Sequence, residues 1–100
     1  MRVITGGALR RYWELPDCSE AEQPLKAWYA ETVRASWKGS ADIAELHRSV
    51  TFFGHGLAAF ALSGGSIRLV AEVNYPIGIV FVRFIGSAEE LASAWGRAVA

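Results

Sequence analysis

Two arginines sit on segments where apolar and polar residues alternate. Arg83 stands among Ile79, Phe81 and Ile85 on one side of a strand-like run. A lone arginine on an apolar row is costly unless it is paired or used. It therefore reads as an anion contact or as half of a structural ion pair. Arg68 shares a strand face with Glu72, and without an anion to hold it reads as an ordinary ion-paired sheet arginine. His55 lies between Gly54 and Gly56. It reads as a turn residue or, alternatively, as an acid–base group, since imidazole titrates near neutrality. His47 and His55 are eight positions apart, with no Cys or carboxylate at ligand spacing, so no metal site and no cofactor are expected. Cys18 follows a proline turn without a basic neighbour and reads as inert. Gly64-Gly65 is no phosphate loop, because no helix follows it at once.

The chain around these groups has 100 residues, 52% of them apolar, with ten basic and ten acidic side chains. One domain spanning residues 1–100 is expected, and disorder is excluded by the hydrophobicity. Zero formal net charge argues against holding a polyanion by bulk electrostatics, though not against a local basic site. Arg10, Arg11, Lys26, Arg34 and Lys38 are interleaved with Glu14, Glu22 and Glu31, which reads as a solvated face. A single cysteine excludes a disulfide-stapled scaffold and makes a reducing cytoplasm the expected compartment. No targeting segment is legible. The longest stretch free of Asp, Glu, Lys and Arg runs from Ser49 to Ile67, but its glycines and serines suit two short strands better than a membrane span.

The elements that must position these groups follow from period. Val3-Ile4-Thr5 is a short strand, broken by Gly6-Gly7. Ala8–Leu15 reads as a helix with Leu9, Tyr12 and Trp13 on one stripe, ended by Pro16. A second helix is expected from about Glu20 to Trp37, capped by Ser19 with Glu22, irregular near Pro24, and burying Leu25, Trp28, Tyr29, Thr32 and Ser36. A short turn carries Ile43 and Leu46. From His47 the period changes to two. Strands are expected at 50–53, 57–62, 66–74 and 79–85, joined by tight turns. Ser87-Ala88-Glu89-Glu90 repeats the capping-box pattern and opens a last helix with Leu91, Ala94, Trp95 and Ala98 on one side. The fold class is α+β: an antiparallel meander of about four strands plus a short N-terminal strand, two N-terminal helices and one C-terminal helix, the helices gathered on one side of the sheet.

Register decides whether the arginines meet. An even loop at Tyr75–Gly78 sets Val70 opposite Arg83 and Arg68 opposite Ile85. Both arginines and Glu72 then face one way, and Ile67, Leu69, Ala71, Val73, Val80, Val82 and Phe84 face the other. A three-residue loop with a bulge at Gly78 reverses this.

The ordered set Met1-Arg2-Val3-Ile4-Thr5 with Ala8-Leu9, Pro24-Leu25-x-Ala27-Trp28-Tyr29, Trp37 with Ala41-Asp42, Arg68-Leu69-Val70, Asn74-Tyr75-Pro76 and Val82–Gly86 resembles HigB-type toxins of bacterial toxin–antitoxin pairs, relatives of RelE and ParE. The resemblance implies a compact α+β fold and, as partner, an antitoxin from the adjacent gene, HigA-like with a helix-turn-helix. It also implies metal-free, ribosome-dependent cleavage of mRNA. In that chemistry a 2′-hydroxyl attacks the neighbouring phosphate while cations stabilise the developing charge. By position, Arg68 is then a phosphate contact. Arg68 and Arg83 are the catalytic candidates, and Arg68 and His55 the RNA-binding ones.

The chain departs from that family pattern where the chemistry should be. Leu57, Ala61 and Ser66 replace an Arg, an Asn and a Lys. Ala88, Leu91 and Ala92 stand at the His, Tyr and Asp positions. Alanine and leucine neither move protons nor bind phosphate. The expectation is therefore a nuclease of reduced activity, or a toxin homologue that keeps antitoxin binding and has lost catalysis. Apolar surface around Leu57 and Phe60, or the face of the last helix, is the expected docking area.

Overall fold

A computed structural model describes residues 1–95. In chain order the elements are β1 (Arg2–Ile4), α1 (Ala8–Trp13), α2 (Glu22–Arg34), α3 (Ser40–Leu46), β2 (Thr51–Phe53), β3 (Leu57–Leu62), β4 (Ile67–Asn74), β5 (Ile79–Gly86) and α4 (Ala88–Trp95). The strands form one sheet in the order β1-β5-β4-β3-β2. The last four strands are the expected antiparallel meander. β1 joins parallel to β5, so the sheet is mixed.

α2 is shorter than its apolar stripe suggested. A 3-10 turn at Ser19–Ala21 leads into it, and Ser19 makes no side-chain cap bond. Pro24 falls in the first turn, where its missing N–H removes no intrahelical bond. The helix stops at Arg34, because Ala35 turns extended. Leu25, Trp28 and Thr32 are buried as expected, while Tyr29 and Ser36 are exposed. Thr32 satisfies its buried hydroxyl by donating to the Trp28 carbonyl at 2.7 Å. Trp37, freed from the helix, stacks on Phe60 with centroids 6.2 Å apart.

The main core lies between α1, α2, α3 and one sheet face, built on Leu25, Trp28, Ile43, Phe60, Leu69 and Val80. Phe60 is wholly buried there, so it cannot belong to a docking surface, contrary to the sequence expectation. The other face carries a second cluster of Ala59, Val70 and Leu91, flanked by Phe53, Leu57 and Phe84. α4 therefore packs opposite the N-terminal helices, not beside them. The sequence cannot tell which face a terminal helix chooses, because both faces offer apolar residues. The Ser87 capping box forms as read: Ser87 N donates to Glu90 Oε1 at 2.7 Å, and Glu90 N to Ser87 Oγ at 3.1 Å. Leu91 is buried, Ala94 is exposed, and Ala98 lies outside the described residues.

Candidate nucleic-acid interface

The β4–β5 loop is the four residues Tyr75–Gly78, with Asn74 paired to Ile79, so the even register holds near the turn. It does not hold throughout. Ala71 pairs with Val82 but Val70 pairs with Phe84, leaving Arg83 as the extra residue of a β-bulge. Beyond the bulge the faces of β5 exchange. Phe84 joins Val70 on the α4 side, and Ile85 packs in the main core with Leu69. Arg68 consequently lies opposite Gly86, not Ile85. A bulge bends the strand and re-aims its side chain. No glycine marks this one, so nothing in the sequence announces it.

The face that carries α4 can be read in rows across the strands. Gly86, Arg68 and Ala61 form the first row; Phe84, Val70, Ala59 and Thr51 form the second, which Leu91 covers. Ile4, Phe81, Glu72, Leu57 and Phe53 form the third, and Arg2, Ile79 and Asn74 the fourth. Arg68 and Glu72 thus share a face, four positions apart along the strand, roughly 13 Å.

Arg83 is held in the third row. Its Nε donates to Glu72 Oε1 at 3.0 Å and its Nη2 approaches the same oxygen at 2.8 Å. Its guanidinium stands 5.0 Å from the centroid of the Phe81 ring. The two partner side chains are 46% and 41% exposed, so the pair is reachable from solvent but already compensated. Glu72 therefore belongs to Arg83, and the expected pairing of Arg68 with Glu72 is not found.

Arg68 is the freer cation. Its Nε donates to the Gly65 carbonyl at 3.2 Å, and among the described residues it has no carboxylate partner. Its cross-strand neighbours are Ala61 and Gly86. A Cβ at Gly86 would come within 2.8 Å of the Phe84 ring and 3.0 Å of Glu90 Oε1, so glycine lets α4 start directly on the strand. Leu91, where the resemblance implies a Tyr, is 4% exposed and packs on Ala59 and Val70. That position is core in this chain. Ala88 and Ala92 are exposed and carry no titratable group.

His55 occupies the β2–β3 turn with φ +67, exposed, at the Leu57 end of β3. Arg68 pairs with Ala61 at the other end. The structure does not bring the two together, and the His55 turn adjoins the row of Glu72 and Arg83. His47 is a core group instead. It meets Phe60 edge-on at 4.9 Å, with Nε2 3.7 Å from Glu31 Oε2. Burial pushes it below its ordinary value and Glu31 pulls in the opposite direction. Burial likewise raises the Tyr12 phenol, with Cys18 and Glu90 adding to the shift. Among the described residues no group of three His, Cys, Asp or Glu could hold a metal ion, and no helix is long and apolar enough to cross a membrane.

The model of the HigB toxin family, the RelE-like toxic component of a toxin–antitoxin system, matches residues 21–91. The chain belongs to the HigB toxin family. Among curated proteins nothing matches it significantly. As a HigB-family chain it is the toxin of a toxin–antitoxin pair, and an antitoxin is its partner. The match begins at the 3-10 turn before α2 and ends in α4, so β1 and α1 lie outside it.

Proposed function

We propose that this HigB-family chain, as one domain over residues 1–100, is a cytoplasmic, ribosome-dependent mRNA endonuclease of reduced activity, restrained by a HigA-like antitoxin. The observation that carries the reading is Arg68, a strand arginine without a carboxylate partner among the described residues, flanked by Ala61 and Gly86. Its guanidinium can take a phosphate oxygen in a forked contact. The 2′-oxygen attacks the adjacent phosphorus, the bond to the 5′-oxygen breaks, and Arg68 stabilises the negative charge that builds up between them. Arg83 is a second cation on the same face, weakened by Glu72. His55 is a further RNA contact beside the Arg83 row. The poor part of the site is proton transfer, since Ala88, Leu91 and Ala92 offer none. Loss of a positioned acid or base lowers rate by about 10²–10⁴-fold.

The burial of Leu91 favours a second reading: the α4 side of the sheet now serves packing, and the chain acts as an antitoxin-binding module without catalysis. Expression in a bacterial host, read by growth and by primer extension on translated mRNA, separates the two. The nuclease reading expects weak cleavage that falls about 10²–10³-fold further in Arg68→Ala. Complete absence of cleavage, with antitoxin binding intact, selects the second. Strong cleavage indifferent to Arg68→Ala would remove the site assignment.

A further inference from the structure

Two unpaired cations line one pocket at the end of the sheet far from Arg68. α2 stops where Ala35 turns extended, and Trp37 drops into the core as the chain runs on to α3. This stretch and the β4–β5 loop wall a pocket of about 410 Å³. The start of β1 is fixed against the loop, because the Arg2 amide donates to the Gly78 carbonyl at 2.8 Å. Arg2, Ser36, Lys38 and Tyr75 are among the lining residues, and no carboxylate is. Arg10, Lys26 and Arg83 are each held by a glutamate, whereas neither Arg2 nor Lys38 has an ion-pair partner among the described residues. Asp42 accepts from the Lys38 backbone N–H, at 2.8 Å, and not from its ammonium. Burial holds the Tyr75 phenol above its ordinary value, with Asp42 adding to the shift, so its hydroxyl stays a donor at neutral pH.

We propose that this pocket binds a backbone phosphate of single-stranded RNA, as an anchor remote from Arg68. The proposal rests on the mRNA reading and extends it to a second place on the strand. With zero formal net charge the chain has no overall field to gather a polyanion, so affinity has to come from local sites. A phosphate oxygen accepts several donors at once, and two cations with two hydroxyls supply them. Arg68 and Asn74 stand six positions apart on β4, roughly 20 Å, and the pocket lies beyond Asn74. The two contacts therefore engage phosphates several nucleotides apart. Binding energy from such a remote contact holds the strand in a site whose own polar groups are few.

The test is binding of labelled oligoribonucleotides to the full chain, read by fluorescence anisotropy. A long single strand should bind at least about tenfold more tightly than a dinucleotide at low salt. Lys38→Glu should abolish that advantage, while Lys38→Arg keeps it. Lys38→Gln should flatten the slope of log K against log salt by about 0.7, one phosphate contact on a single strand. Arg68→Ala should weaken both lengths. Amide NMR signals of Ser36, Lys38 and Gly78 should shift when the long strand is added, and a thermal melt of each variant checks the fold. Equal affinity for the two lengths, or a long strand indifferent to Lys38→Glu, overturns the proposal and leaves the Arg68 reading standing. Shifts with inorganic phosphate but not with RNA also overturn it, leaving a small-anion site. Indifference to Arg68→Ala, with the Lys38→Glu effect intact, removes the Arg68 contact and keeps the pocket.

Discussion

The two faces of the sheet have been put to different uses. One is a single apolar surface sealed by α1, α2 and α3, where Leu25, Trp28, Phe60, Leu69 and Val80 meet. The other is divided. Leu91 covers its middle with a small cluster, and on either side lie the two arginine rows. A face whose only task is burial tolerates little change in side-chain volume. A face that must also stay open can afford only a short helix and a small cluster. Leu57, Ala61 and Leu91, where the resemblance leads one to expect polar groups, fall on this second face, where a change of residue leaves the main core untouched.

The sharpest way to break that contrast is to cut one anchor from each face. Phe60→Ala should cost about 3–5 kcal/mol and Leu91→Ala about 2 kcal/mol, the latter site being freer to collapse. Urea unfolding with an unchanged slope measures both. Equal losses would mean that the two clusters are one core. A smaller effect tests how α4 is held on its face. Ser87→Ala removes the bond to the Glu90 amide and should cost about 1 kcal/mol, read as a drop in Tm of about 4–8 °C. The smallest effect is a slope with pH. His47 belongs to the sealed face, and burial lowers its affinity for protons when folded. The unfolded chain binds that proton more readily. His47's contribution is therefore intact above the ordinary value of 6.5 and is lost progressively as pH falls below it. Replacing His47 with Leu should flatten stability against pH in that window.

Element type was legible because period is local. The switch from 3.6 to 2 near His47, the turn residues at Gly54–Gly56 and Tyr75–Gly78, and the Ser87–Glu90 box all describe neighbours in sequence. Three features were not legible, each for a distant reason. The partner and direction of β1 depend on β5. The side that α4 takes depends on which apolar face the other helices leave uncovered. The bulge at Arg83 is a property of a pair of strands, and it is the bulge that leaves Arg83 unpaired in the ladder and seats Phe84 with Val70. The ion pair suffered accordingly: Glu72 was expected beside Arg68 and is held by Arg83.

The parallel pairing of β1 with β5 also sets an order of assembly. β1 is made well before β5, its strand partner among the described residues. Joining such distant segments costs chain entropy before any contact offsets it. Until β5 is made, Val3 therefore has no strand to pair with, and the row that ends in Ile4 and Phe81 does not exist. The nascent chain acquires its β1 edge only after Phe81 has emerged, so the surface that carries Arg83 is finished later than the β2–β3–β4 hairpins.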